Sequence, residues 1–565
     1  MNLLTVVYIL STVIACYGIW DHELSPHAHV QDYPKQLVHT FLPGNATGEN
    51  LRVLLVEGDY VLVGGRNTLY NISLVTMQPE QNITWNPTPM SFANCQVNLE
   101  RGTACGNFIR VVFRTSSGSL LVCGTHAFAP RCRVYKRDTM GNLTIKKDTD
   151  GKALCPADAR QATVYIQTSQ RLFSAVSAYP KAGRWPVIYG HPLRTSPNDS
   201  KLAFDAQFVG VVRWSHFLYF FFRESVRESR ECAPVTLATV ARLCTSDSGS
   251  PSQKSWSTFS KARLRCSLNG SAPHNFTNLQ DISWTKSESL VYAVFGATGG
   301  PVEASAVCVF SIASVNHVLR SNRSIIEENC PASESQENAI AGTIFSYFDD
   351  PLLVHVGFDY HYTTVAVEEQ VATTSGRKLD VLFVGTSHGH VIKIINLGQK
   401  VVATEVVEDI FVFPEGQAVL QLKIVQSHRM ATLLVVTYHE VVSVPLDNCN
   451  WTARTCEQCV GLQDPYCAWD SVRSTCVSLL LTQSNVDLVQ NVTSGHSDMC
   501  RLRSAVRAER GSLLNPSMDM SHFYSGRTFG LALSFCVFTS VIVGVFTGYW
   551  CNGHRKKSFF YLNYK

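Results

Sequence analysis

The run Cys456-Glu-Gln-Cys459-Val-Gly-Leu-Gln-Asp-Pro-Tyr-Cys467-Ala-Trp-Asp470 lies in a segment that holds six cysteines between Cys449 and Cys500. A segment this short buries too little apolar surface to fold without disulfides or a metal. Thiolates at the spacing of Cys456, Cys459, Cys467 and Cys476 suit a tetrahedral zinc ion, and the same residues also suit disulfides. The compartment in which the chain folds decides between the two.

Apolar segments near both ends predict a secreted, membrane-anchored chain. Residues 3–16 have the length of the apolar part of a signal peptide, which we place at 1–18; an uncleaved anchor is the alternative, since no Lys or Arg precedes them. Residues 529–550 carry no charge and predict a transmembrane helix over 528–550. We therefore expect a single-pass protein of the plasma membrane, with an extracellular N-terminal part, a juxtamembrane stalk at 501–527 and a cytoplasmic tail at 551–565.

The cysteine count agrees with an oxidising compartment. Without Cys16, Cys536 and Cys551, which lie in or beside the apolar segments, 16 of the 19 cysteines remain, an even number. Disulfides are therefore favoured over zinc, and we expect no metal and no cofactor. Ten Asn-x-Ser/Thr sequons predict N-glycosylation at Asn45, Asn71, Asn82, Asn142, Asn198, Asn269, Asn275, Asn322, Asn450 and Asn491.

Residues from about 28 to 447 show short β-type runs separated by turn residues. Leu51–Leu55 and Tyr60–Val63, for example, flank the turn signal Glu57-Gly-Asp, and the apolar run Phe217–Phe222 is typical of a central strand covered on both faces. No long helical periodicity interrupts these runs, which disfavours parallel α/β folds. The pattern predicts an all-β fold such as a β-propeller, but no fixed repeat period gives the number of blades. A net charge of +4 gives no reason to expect a nucleic-acid partner.

Two patterns raise enzymatic and metal-binding alternatives. Gly385-Thr-Ser387-His388-Gly389 matches the Gly-x-Ser-x-Gly motif of serine hydrolases, but a strand-like run follows where the motif requires a helix, so a hairpin turn is favoured and no catalytic residue is expected. His361, His388 and His390 are candidate metal ligands, and ordinary loop histidines are the favoured interpretation.

The basic stretch 501–510 offers two further hypotheses. Its arginines suit contact with an acidic glycosaminoglycan, against the alternative of a solvated linker. Arg507-Ala-Glu-Arg510 also matches a minimal protease recognition pattern, and cleavage at Arg510 would shed the extracellular part.

Several ordered motifs resemble the semaphorin family. Cys123-Gly-Thr-His-Ala-Phe-Ala-Pro-Arg-Cys132 resembles the family's signature decapeptide, with His126 where Asn is usual, and Asp464-Pro-Tyr-Cys467-Ala-Trp-Asp470 resembles the plexin–semaphorin–integrin (PSI) module. Further matches occur along the chain in the family's order, at residues 64–74, 219–224, 240–244, 256–259, 261–266 and 306–309. The stretch 345–353 departs from the family pattern.

The resemblance implies a seven-bladed sema propeller over 28–447 and a PSI module over 448–500, followed by a single transmembrane helix. It implies the disulfides Cys95–Cys105, Cys123–Cys132, Cys155–Cys232, Cys244–Cys330, Cys266–Cys308, Cys449–Cys467, Cys459–Cys476 and Cys456–Cys500. The layout without an immunoglobulin domain resembles the transmembrane classes, invertebrate class 1 or class 6. We expect a membrane-anchored homodimer that binds plexin receptors in axon guidance, cell migration and morphogenesis. A plexin-like receptor is the alternative, as is, more remotely, a serine hydrolase using Ser387.

Overall fold

A computed structural model gives the fold of the chain between residues 26 and 500, apart from short gaps. The residues it describes are 26, 28–30, 38–44, 49–98, 105–137, 143–168, 171–177, 185–196, 201–226, 234–249, 255–269, 274–297, 303–321, 340–398, 401–413, 416–426, 431–480 and 487–500. The predicted signal peptide, stalk, transmembrane helix and tail lie outside these ranges. Among the described residues, no helix has the length and hydropathy needed to cross a bilayer.

Thirty-four strands and four helices make up the described part. The first half contains β1 (Ala28–Val30), β2 (His39–Phe41), β3 (Arg52–Glu57), β4 (Tyr60–Gly64), β5 (Thr68–Ser73), β6 (Pro79–Thr84), α1 (Pro89–Asn98), β7 (Ile109–Arg114), β8 (Leu120–Gly124), β9 (Arg131–Arg137), β10 (Leu143–Asp150), β11 (Thr163–Gln167), β12 (Leu172–Val176), β13 (Val187–Gly190), β14 (Leu193–Arg194), β15 (Gln207–Trp214), β16 (Phe217–Val226) and β17 (Val235–Cys244). The second half contains β18 (Ser260–Leu268), β19 (His274–Phe276), β20 (Asn278–Thr285), β21 (Leu290–Gly296), β22 (Glu303–Ser311), α2 (Ile312–Ser321), β23 (Ile340–Phe345), β24 (Leu353–Gly357), β25 (Tyr362–Ala372), β26 (Lys378–Thr386), β27 (His390–Asn396), β28 (Thr404–Phe411), β29 (Gln421–Gln426), β30 (Ala431–Val436), β31 (Val441–Pro445), α3 (Cys449–Thr452), α4 (Cys456–Gly461), β32 (Cys467–Asp470), β33 (Thr475–Ser478) and β34 (Leu488–Val489).

The strands up to β31 form seven sheets, numbered here in chain order. The first sheet is β3–β6, the second β7–β10, the third β11–β14 and the fourth β15–β19 with β23; the fifth is β20–β22 with β24, the sixth β25–β28 with β1, and the seventh β29–β31 with β2. Neighbouring strands are antiparallel except for β1 on β28 and β23 on β18. The predicted all-β class is therefore confirmed.

Each sheet contacts the sheet that follows it in the sequence, and the last sheet contacts the first. The first strand of each sheet contacts the first strand of the next, through β3, β7, β11, β15, β20, β25 and β29, and β29 in turn contacts β3. The side-chain amide of Gln421 also exchanges hydrogen bonds with the backbone of Val53, which joins the seventh sheet to the first. Strand β2, from the N-terminal end of the sheet domain, completes the seventh sheet by pairing with β31, which is the last strand of that domain.

The apolar cores lie between neighbouring sheets, and β16 shows how they form. Tyr219 and Phe221 face one cluster, shared with the fifth sheet, while Phe220 and Phe222 face another, shared with the third. All four side chains are buried, so this strand is covered on both faces as its continuous apolar run predicts. Each buried side chain of this size contributes about 1.5–3 kcal/mol relative to an exposed position.

Two ten-residue helices, α1 and α2, interrupt the strands and were not expected from the sequence. In α2 the side chains of Ile312, Val315 and Leu319 are buried in the cluster between the fourth and fifth sheets. Their spacing of three and four residues is the helical signal, but it extends over only two to three turns. Strand β22 ends at Ser311, and the helix begins at the next residue.

The cysteine-rich segment folds as a small module of two short helices and a three-stranded sheet, β33-β32-β34. Helix α4 begins with a capping box, in which the Thr455 hydroxyl accepts the Gln458 backbone N–H and the Gln458 side chain reaches back to Thr455. The buried cluster of the module consists mainly of half-cystines together with Trp469 and Leu462. Covalent links therefore replace most of the apolar core that a longer domain would have.

Candidate functional site

The six cysteines of the module form three disulfides. Cys449 bonds to Cys467, Cys456 to Cys500 and Cys459 to Cys476, with Cα–Cα distances of 5.4, 5.4 and 5.6 Å. These are the pairs that the family resemblance implies. Because all four candidate zinc ligands are consumed in these bonds, the module has no thiolates to offer a zinc ion.

The sheet domain contains three further described disulfides, Cys95–Cys105, Cys123–Cys132 and Cys266–Cys308, again the pairs implied by the resemblance. Cys244 is also disulfide-bonded, and its expected partner Cys330 lies outside the described residues. The structure differs at Cys155, which is a free thiol and not half of the expected Cys155–Cys232 bond. Cys155 is enclosed in the apolar cluster around Cys123–Cys132, and Cys232 lies outside the described residues.

The module docks on the sixth sheet through a buried lysine. Lys393 of β27 has no exposed surface, and its ammonium donates to the Leu446 carbonyl oxygen at 2.8 Å and to the Asp464 carboxylate. Glu408 of β28 approaches the same ammonium at 3.9 Å, and the ring of Tyr466 lies 4.7 Å from it. The motif Asp464-Pro-Tyr466 thus reaches out of the module and supplies one wall of a charged junction.

Burial and neighbouring charges shift the pKa values of the ionisable side chains at this junction. Burial lowers the pKa of Lys393, but the Asp464 and Glu408 carboxylates together raise it above its usual range, so the ammonium stays charged. Burial raises the pKa of Glu408 to about 7, since Lys393 offsets only part of the desolvation and Asp464 and Asp447 add repulsion. Burial likewise raises the pKa of Asp447. Lys393 and Asp464 therefore form the ion pair, and Glu408 takes up a proton more readily than an ordinary glutamate.

The signature decapeptide forms the connection between β8 and β9. Its residues His126, Ala127 and Phe128 have φ angles of 46°, 53° and 66°, three successive left-handed residues without a glycine. The Asn107 side chain accepts the His126 N–H at 2.9 Å, and the Gly106 carbonyl accepts the Ala127 N–H at 3.0 Å. The loop is therefore held both by its own disulfide and by the segment before β7.

His126 is buried at the position where the family usually has Asn. Its ring lies 6.0 Å from that of Trp85, over which the Arg133 guanidinium is stacked at 4.4 Å. Burial, with the nearby Arg131 and Arg133, lowers the pKa of His126. A neutral imidazole therefore fits this site, because a charged one would be repelled by two guanidinium groups.

Ser387 lies in the hairpin turn between β26 and β27. Its hydroxyl accepts the backbone N–H of His361 at 3.1 Å and lies 3.4 Å from Nδ1 of His388. The residues that follow form strand β27, so the helix required by a nucleophile elbow is not present at this position. Gly389, with φ of 85°, makes the turn instead.

The candidate metal-binding histidines do not converge. His390 pairs with Asp409 at 2.9 Å, whereas His388 is exposed at the turn. Within the described ranges, one group of three metal-ligand types has its ligand atoms within 4.8 Å of one another, namely Asp447 with Cys449 and Cys467. The two cysteines of that group are bonded to each other, which leaves a single carboxylate.

Six of the ten sequons fall on described residues. Asn82, Asn269, Asn275 and Asn450 are exposed, while Asn71 and Asn491 are half-buried. The Asn491 amide donates to Ser494 and to the His496 carbonyl oxygen, and the Asn269 amide donates to the Asp349 carbonyl oxygen. The other four predicted sites, Asn45, Asn142, Asn198 and Asn322, lie outside the described residues, as does the predicted cleavage site Arg510.

Comparison with protein families identifies both parts of the described fold. A family described as "Sema domain" matches residues 275–344 and 336–426, and one described as "Plexin repeat", the PSI family, matches residues 448–501. Among curated proteins, Semaphorin-1A of Schistocerca americana is 30% identical over 531 residues, covering 85% of this chain and 72% of the relative.

Solved structures agree with these matches. The chain is similar to Drosophila Semaphorin 1b, extracellular domains 1–2, with 28% identity, a TM-score of 0.72 and coverage of 84% of this chain and 99% of the other. It is also similar to a chain in the structure of Drosophila Plexin A in complex with Semaphorin 1b, with 29% identity, a TM-score of 0.71 and coverage of 82% and 98%. Semaphorins with sema domains are signalling ligands and not enzymes. With its sema domain and disulfide-rich PSI module, this chain belongs to the semaphorin family.

Proposed function

We propose that the chain is a membrane-anchored semaphorin that binds a plexin receptor through its sema domain and signals in axon guidance, cell migration and morphogenesis. The observation that carries the proposal is the similarity, over 82% of this chain, to a chain in the structure of Drosophila Plexin A in complex with Semaphorin 1b. A PSI module follows the sema domain in this chain, as the family match over residues 448–501 shows. The mechanism is binding without turnover.

The sema domain in this proposal is a seven-bladed β-propeller over residues 28–447, followed by the PSI module over 448–500. Seven sheets whose first strands contact one another in a closed sequence support this arrangement, as does the pairing of β2 with β31. Closure by strands from both ends ties the termini of the domain together. Such closure gives a rigid body with two faces on which a receptor can dock.

Anchoring and dimerisation complete the proposal. The uncharged run 529–550 supports a transmembrane helix, and the disulfides of the described part support an extracellular sema domain. A homodimer formed through the sema domain would join two receptor contacts in one body and raise the effective concentration of the second. Glycosaminoglycan contact through the 501–510 arginines and shedding at Arg510 are separate parts of the proposal.

Binding of the purified part 26–500 to immobilised plexin ectodomains tests the receptor assignment. We expect saturable binding to at least one plexin and none to an unrelated receptor ectodomain of similar size. Semaphorin 1b on the same surfaces is the positive control. Light scattering on the same sample measures the dimer, and absence of binding to every plexin on surfaces that bind the control contradicts the proposal.

A further inference from the structure

A cleft of about 610 Å³ separates the outer parts of the first and second sheets. Its floor is apolar and is the outer end of the core between these sheets, formed by Leu62, Leu69, Ile83 and Leu120. The volume lies within the range of about 300–1,000 Å³ that is typical of sites enclosing a small ligand.

Charged and aromatic groups surround this floor. Arg114 of the second sheet and Glu57 of the first form a two-pronged ion pair across the cleft, and this pairing raises the pKa of Arg114. The charge of Glu80 raises the pKa of the exposed Tyr60 phenol. An apolar floor with hydrogen-bonding groups on its edges is the composition of carbohydrate sites, because a sugar ring has apolar C–H faces and polar edges.

One sequon asparagine lies inside this cleft. Asn71 is half-buried and lines the cleft. It lies two residues after Leu69 on β5 and opposite Leu62 on β4. Its side chain is therefore on the same face as those of Leu62 and Leu69, which points to the second sheet. Asn82 on the adjacent strand β6 is exposed and does not line the cleft. The two sequons are thus close in the fold but differ in their surroundings.

We propose that Asn71 carries an N-linked glycan whose first N-acetylglucosamine residues lie in this cleft. The inference rests on the proposed extracellular placement of the sema domain. In the transfer, the Asn71 amide nitrogen forms a bond to the anomeric carbon of a lipid-linked oligosaccharide diphosphate. The bond from that carbon to the diphosphate breaks, and the amide loses one proton as the lipid diphosphate leaves.

The cleft suits this occupant better than a diffusing ligand. The covalent bond fixes the first sugar at the half-buried Asn71, so no entropy of association opposes its entry into the cleft. Its C–H faces then cover the leucine floor, and its acetamido and hydroxyl groups reach Glu80 and Tyr60 at the edge. The glycan therefore fills a gap between the first and second sheets.

Site-resolved deglycosylation of the native protein tests the proposal. The full-length chain is expressed in insect cells, purified in a non-denaturing detergent and treated with peptide-N-glycosidase, and conversion of each sequon Asn to Asp is followed by mass spectrometry. We expect release at Asn71 to be several-fold slower than at Asn82, because the sugar core must leave the cleft first. After denaturation the two rates should become equal.

Variants test whether the cleft is the cause of slow glycan release at Asn71. Asn71→Gln should remove the slow reaction, whereas Asn82→Gln should leave it unchanged. The double change Tyr60→Ala and Glu80→Ala alters only exposed groups at the edge and should accelerate release at Asn71 but not at Asn82. Equal native rates, or an unmodified Asn71 beside a glycosylated Asn82, would overturn the proposal. A chain without glycan at any described sequon would overturn the extracellular placement as well.

Discussion

Replacing Glu408 by Gln is expected to stabilise the chain above neutral pH and to have a much smaller effect near pH 5. Glu408 is buried at the junction between the sixth sheet and the PSI module, 3.9 Å from an ammonium that is already paired with Asp464. A second negative charge at this point is only partly compensated. Gln has the shape of the protonated carboxyl group, so the substitution fixes the neutral state.

The magnitude follows from the pKa of Glu408. In the folded chain it is raised to about 7 from an ordinary value of 4.5. At about 1.4 kcal/mol for each tenfold change in proton affinity, this difference corresponds to about 3 kcal/mol. Because the folded state holds the proton more tightly, the stabilisation is fully present below the unfolded pKa and is lost as pH rises through about 7. The free energy of unfolding of Glu408→Gln should therefore exceed that of the unsubstituted chain by up to about 3 kcal/mol at pH 8.

Urea unfolding of residues 26–500, followed by tryptophan fluorescence between about pH 5 and pH 8, measures this difference. The matched control is Glu457→Gln, which makes the same chemical change at an exposed position of the module. Its effect should stay below about 0.5 kcal/mol and should not depend on pH in this range. If the difference in unfolding free energy between Glu408→Gln and the unsubstituted chain is also constant with pH, Glu408 ionises normally and the reasoning is refuted.

Three further substitutions test particular contacts. Lys393→Met leaves the Asp464 carboxylate buried without its cation and should lower the free energy of unfolding by about 3–5 kcal/mol in urea; a loss below 1 kcal/mol would contradict the ion pair. Asp247→Asn removes a carboxylate that accepts several hydrogen bonds, which together lower its pKa although burial raises it. It should cost about 2–3 kcal/mol at pH 7 and less as pH falls through the folded pKa, and a pH-independent cost would contradict this. Gly389→Ala places a Cβ 2.7 Å from the Phe413 carbonyl oxygen at a φ of 85° and should cost about 1–2 kcal/mol in thermal unfolding; an unchanged midpoint would contradict the strained turn.

The strands were predictable because their signal is local. The turn Glu57-Gly-Asp and the apolar run of β16 carry the alternation, turn residues and continuous apolar stretch that define strands without knowledge of the rest of the chain. Helix α2 was missed because three buried positions over ten residues do not stand out from neighbouring strand patterns. The pairing of β2 with β31 joins residues some four hundred positions apart, and no local pattern encodes it.

The candidate site likewise has a part that the sequence predicts and a part that it does not. The module's cysteine pairs are those that the short motif around Cys467 implies through the family resemblance, and the structure has them. The junction was not predictable, since Lys393 stands in an apolar strand and its partner Asp464 is 71 residues away. A lone lysine within Val-Ile-Lys-Ile-Ile is the one clue, because a strand buried on both faces has no exit to solvent for an ammonium.

The buried charge at the junction is better explained by orientation than by stability. An ion pair that is removed from water gains little over a well-packed apolar contact, because desolvation offsets most of the attraction. An apolar contact, however, tolerates sliding and rotation of the module, whereas the hydrogen bonds from Lys393 to Asp464 and to the Leu446 carbonyl oxygen depend on distance and angle. We interpret the cluster as the element that fixes the PSI module against the sixth sheet. In the proposed ligand, such a fixed module would keep the sema domain and the PSI module in one mutual orientation, which a flexible linker between them would not provide.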